Sequence, residues 1–143
     1  MRLWSNDFKH GEPLPDRCAY RENNMSPHLA WDEVPEGTKS FAIVCNDPDA
    51  PVGDWIHWLV HEIPADVREI PAGGPVPGTQ VRNDFGILEW GGPAPPSGTH
   101  RYFFTLYALD VPSLGSVTKK NFTEECERHK IASAQLMGTY SKK

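Results

Sequence analysis

The sequence of 143 residues contains no apolar run long enough to span a membrane, no Cys-x-x-Cys pair, and no basic cluster beyond Lys119-Lys120 and Lys142-Lys143. Each absence removes a class of function. Without a spanning run the chain is expected to be soluble, with no transmembrane segment. Its three cysteines, Cys18, Cys45 and Cys126, are odd in number and far apart, which suits free thiols in a reducing compartment better than a disulfide framework. Met1 to His10 interleaves Arg2, Asp7 and Lys9 with apolar residues, so no signal peptide is expected there and a cytoplasmic location follows. The glycosylation-like triplets starting at Asn24 and Asn121 then carry no weight. A net charge of −5 argues against attraction to nucleic acid or to anionic membrane, so any anion must be captured by local groups. There is no Gly-x-Ser-x-Gly elbow. Gly73-Gly74-Pro75 and Gly91-Gly92-Pro93 lack the lysine of a phosphate-binding loop.

What is present is enough for one domain with its own core: 38% hydrophobic residues and five tryptophans. Fourteen prolines and twelve glycines cut the chain into short runs, which predicts strands and irregular loops in place of a helical bundle. Lys39–Asn46, Trp55–Ile63 and His100–Leu109 read as strands, and the stretch Pro71–Gly98 reads as a long, functional loop. Only Thr123–Tyr140 reads as helical, from Glu124-Glu125 near its start and the spacing of Ala132, Leu136 and Tyr140.

Strand parity then groups side chains, since residues two apart share a face. Trp55, His57 and Leu59 fall together, opposite Ile56, Trp58 and Val60. His100, Tyr102, Phe104 and Leu106 form another set. Polar residues thus gather at one end of a sheet face: Asp47, Asp49, His57, His100 and Tyr102, all beside Gly/Pro loops. A carboxylate near an imidazole favours its protonated, two-donor form, and Gly91 and Gly92 let backbone N–H groups come close, so the set suits a phosphate or carboxylate. Three alternatives stay open on spacing alone. The residues are ordinary strand-end polar groups; or His57, His100 and Asp47 hold a metal; or Ser97, near His100, acts as a nucleophile. His57 and His61 cannot share an ion in a strand that sets them about 13 Å apart. Trp4, Trp31 and Trp58 read as core, and Trp55 and Trp90 as pocket walls.

At these positions the chain resembles a known family. Asp47-Pro48-Asp49-Ala50-Pro51, Trp55-Ile56-His57-Trp58 and Gly91-Gly92-Pro93-Ala94-Pro95-Pro96-Ser97-Gly98-Thr99-His100-Arg101-Tyr102 match, in order and spacing, the signature segments of the phosphatidylethanolamine-binding, or Raf kinase inhibitor-like, proteins. Ser26-Pro27, Asn83-Asp84-Phe85-Gly86 and Ala134–Tyr140 resemble the bacterial and archaeal branch. The resemblance implies a mainly β fold, with a large central antiparallel sheet packed on a smaller one and short C-terminal helices. It implies a non-enzymatic binding or regulatory protein with no cofactor and no metal, whose anion pocket maps onto Asp47, Asp49, Pro51, Trp55, His57, Gly92, Pro93, His100 and Tyr102, with Tyr140 closing it. The partners implied are a small anionic ligand, a protease or kinase met through a surface loop, and a second copy of the chain.

Overall fold

The computed structural model describes residues 1–143. The strands are β1 (Arg2–Trp4), β2 (Leu29–Asp32), β3 (Ser40–Asp47), β4 (Trp55–Pro64), β5 (Glu69–Ile70), β6 (Thr79–Val81), β7 (Thr99–Leu109) and β8 (Lys130–Ser141), with one α-helix, α1 (Phe122–His129). They form two antiparallel sheets, ordered β1-β2-β5 and β6-β4-β3-β7-β8. The architecture is mainly β, a large sheet packed on a small one, as the resemblance implied.

β3 sits at the centre of the large sheet, and its apolar run is buried on both faces. Phe41, Ile43 and Cys45 face the small sheet and meet Leu29, Trp31 and Ile70 there. Ala42 and Val44 face the other way, against Leu59, Tyr107 and the Phe122 and Cys126 side chains of α1. Glu124 and Glu125 in the first turn of α1, and Arg128 and His129 in the last, complement the helix dipole. Burial of Phe122 contributes about 1.5–3 kcal/mol to holding this helix on the sheet.

Two expectations are corrected. The C-terminal segment is not helical to Tyr140: the helix ends at His129, Lys130 turns extended (φ −71°, ψ 139°), and twelve residues of strand follow. Ala132, Leu136 and Tyr140 misled because a spacing of four satisfies a helix and also the even positions of a strand. β7 decides between them, since its free edge pairs with β8 from Thr99↔Ser141 to Leu109↔Lys130. Gly138 lets this edge close tightly, because a Cβ there would lie 2.9 Å from the ring of Phe8 and 3.0 Å from Leu14.

The parity of β4 is also broken. Cys45 pairs with Trp58 but Asn46 with Ile56, so His57 is the extra residue of a β-bulge. Leu59 therefore faces α1, while Trp58 and Val60 join the inner core. His57 stays on the inner side, 5.1 Å from the Tyr102 ring. A second irregularity, between Phe41↔Ile63 and Ile43↔Val60, leaves Glu62 at φ 59° and turns His61 toward Phe122 on the outer face.

Candidate functional site

Antiparallel pairing puts the end of β3 beside the beginnings of both neighbours: Asp47 lies opposite Trp55, and Asn46 opposite Phe103. Asp47, His57, His100 and Tyr102 converge there, and all four are buried. They line a cavity of about 190 Å³ whose remaining wall is apolar: Pro51, Val52, Trp55 and Phe85, with Ala94, Pro95 and Pro96 opposite. The turn after β3 and the loop before β7 supply this rim.

The polar end is held by specific bonds. His100 donates from Nδ1 to Asp47 Oδ2 at 2.7 Å, and Asp47 Oδ1 accepts the Asp49 N–H at 2.8 Å. His57 donates from Nδ1 to the carbonyl of Gly91. Burial pushes the His57 pKa down, outweighing the upward pull of the Gly91 carbonyl and of Asp47. The Tyr102 hydroxyl is buried without any hydrogen-bond partner, and burial holds its pKa well above the usual phenol range.

A family model described as phosphatidylethanolamine-binding protein matches residues 4–141. The chain belongs to the phosphatidylethanolamine-binding protein family. It is 43% identical to the protein YbhB of Escherichia coli K12, covering 99% of this chain and 100% of that one. The crystal structure of Escherichia coli YbcL, described as a member of the mammalian family, matches with a TM-score of 0.93 at 35% identity, covering 99% of this chain and 98% of that one. A Chlamydia trachomatis homologue matches with a TM-score of 0.92 at 37% identity, covering 99% and 97%. Membership supports a binding or regulatory role in general.

Not every residue expected at the family pocket lines this cavity. Asp47, Pro51, Trp55, His57, His100 and Tyr102 do. Asp49 instead takes the Arg101 guanidinium in two bonds, of 2.8 and 2.9 Å, together with the Arg101 N–H. That hydrogen bonding brings its pKa down to about 2, and neither Asp49 nor Arg101 lines the cavity. Gly92 offers no N–H, because it donates to Asn24 Oδ1 at 2.7 Å. Its lack of a side chain serves packing: a Cβ would fall 1.8 Å from the Cys18 carbonyl oxygen. Pro93 and Tyr140 line a neighbouring cavity of about 350 Å³ with Arg21 and Lys142, which shares Ala94, Pro95 and Pro96 with the first. Tyr140 does pair with His100 across the strands, but its hydroxyl donates to Asp16 Oδ1 at 2.9 Å. Trp90 is core: it stacks on Phe104, and its Nε1 donates to the Cys18 carbonyl. Ser97 lies exposed in the loop before β7. Asp47 commits one oxygen to His100 and the other to Asp49, and no group of three His, Cys, Asp or Glu converges at metal-holding distance.

Three residues that sequence reasoning did not assign shape the site. Phe85 sets its ring edge-on to His57 and Trp55, and is stacked by Tyr20 at 4.5 Å. Asn83, fully buried, donates to the carbonyls of His57 and Glu89 and accepts from Phe85 N. Asn24, at φ 50°, donates to Trp90 O and accepts from Gly92 N, so it holds both peptides of Gly91, the second of which carries the carbonyl that anchors His57. Asn83-Asp84-Phe85-Gly86 carries an Asx-turn signature that could have flagged the first two. Nothing local marks Asn24, because its partners are more than sixty residues away.

Proposed function

We propose that this protein is a non-catalytic binding and regulatory protein whose pocket receives a small anionic group, a phosphate or carboxylate, between His57 and His100. The observation that carries the reading is the Tyr102 hydroxyl, a buried donor without a partner, beside two imidazoles already anchored through Nδ1. A ligand oxygen satisfies that hydroxyl and leaves one ring nitrogen of each histidine to complete the cradle. The apolar rim fits the organic part of such a ligand.

Chemistry on the ligand is not supported by the lining, which holds no serine, threonine or cysteine. The three thiols lie elsewhere, and burial pushes Cys18 and Cys126 up to about 12, far from thiolate character. Titration of the imidazole resonances with phosphate or phosphoethanolamine tests the reading. His57 and His100 are expected to shift, while His28, tied to Glu69, and His61, on the outer face, stay still. Silence at about 10 mM ligand, a binding energy below about 3 kcal/mol, would end it.

A further inference from the structure

Both imidazoles of the pocket spend Nδ1 on an oxygen that can only accept, the Gly91 carbonyl for His57 and the Asp47 carboxylate for His100. Each Nδ1 therefore carries a hydrogen, and Nε2 is the ring atom with no protein partner. His57 is 2% exposed, enclosed by the rings of Phe85, Trp90 and Tyr102, an environment that favours the neutral ring. Its Nε2 then presents a lone pair.

The charges around His57 are few. From β3 comes Asp47; from β7 comes His100, paired with that carboxylate; from the loop after β6 comes Asp84, held by Lys119 at 2.8 Å. No lysine or arginine lines the cavity, and Arg101 is turned onto Asp49. A fully ionised oxyanion entering here faces a lone pair and a carboxylate. One that carries an O–H can donate it to His57 Nε2 while accepting from Tyr102.

We propose that the pocket selects oxyanions that bring or acquire one proton, hydrogen phosphate and phosphate monoesters, over fully ionised sulfate, holding that proton between a ligand oxygen and His57 Nε2. This rests on the anion-pocket reading above. Hydrogen phosphate dianion already carries the hydrogen, so no proton crosses from solvent. A monoester dianion takes up one proton from solvent as it binds, and no bond to phosphorus changes. Sulfate has no protonated form near neutrality, so the proton must go onto the ring itself, in apolar surroundings.

Calorimetric titration with inorganic phosphate, inorganic sulfate and phenyl phosphate, at about pH 8 and so well above a monoester's second ionisation, tests this in two buffers of different ionisation enthalpy. Phosphate is expected to bind at least about tenfold more tightly than sulfate, and phenyl phosphate to take up close to one proton per site. His57→Gln, with a neutral amide N–H to offer, is expected to lose the uptake and narrow the phosphate-to-sulfate ratio to about threefold or less, with its fold checked by circular dichroism. Equal affinities for sulfate and phosphate in the unaltered protein, or a monoester bound without proton uptake, overturn the proton requirement and leave the anion pocket standing. If none of the three ligands binds at about 10 mM, the pocket reading falls and this inference falls with it.

Discussion

His57 shows how much one side chain's surroundings decide. Its sequence neighbours suggest an imidazole charged by a nearby carboxylate. In the fold the carboxylate goes to His100, and His57 is enclosed by aromatic rings and a carbonyl. Burial lowers the pKa of His57, and of His61 on the outer face, below the ordinary 6.5. Between the lowered values and 6.5 the unfolded chain binds more protons than the folded one. The stability from these groups is therefore complete above about pH 6.5 and declines as the pH falls through that window. In chloride buffers free of oxyanions, the urea midpoint is expected to be lower at about pH 5.5 than at about pH 7.5, with His57→Gln removing part of the difference. A midpoint that does not move would contradict neutral, buried imidazoles. At this scale Asp47, Trp55, His57, His100 and Tyr102, which line the cavity, were legible because each sits at a strand end beside a Gly/Pro loop, while Pro51, in the turn after β3, was named only through the family resemblance. Asp49 and Gly92 were not, since their polar atoms are taken by Arg101 and Asn24, partners that no local pattern points to.

Among the elements, β8 and β4 carry the contrast. β8 hides inside a helical-looking spacing, and only the open edge of β7 makes it a strand. β4 was legible as a strand, but its bulge at His57 was not, because a bulge is set by pairing with β3 and leaves no fixed residue signature. Two glycines report on how closely the elements approach. At Gly138 an added methyl meets the side chains of Phe8 and Leu14, which can move, so Gly138→Ala is expected to cost about 1–3 kcal/mol. At Gly92 it meets the backbone of Cys18 and Tyr20, at 1.8 and 2.9 Å, which cannot move without dislodging the 16–25 segment. Gly92→Ala is expected to cost more than about 3 kcal/mol. Denaturant unfolding of the two variants checks the order; if Gly138→Ala proved the more damaging, the 18–20 backbone would be the softer partner.

For the molecule as a whole, the charge of −5 and the lack of a lysine or arginine in the pocket wall mean that long-range forces repel an anion, so the proposed binding rests on short-range bonds. Raising sodium chloride from about 20 to about 150 mM screens that repulsion, so affinity for phosphate is expected to stay within about threefold or to rise. A tenfold loss, read by calorimetry, would mean that surface cations draw the ligand in. The sequence by itself determined the mainly β class, three of the strands of the large sheet and the family, because alternating and buried apolar runs, proline and glycine punctuation and ordered motifs are local properties of the chain. Only the tertiary structure decided which polar groups face the cavity and that burial disfavours the charged form of His57. Hydrogen-bond acceptors such as the Gly91 carbonyl, and the rings that exclude water from His57, arrive from segments distant in the sequence, and burial is a property of the assembled sheets.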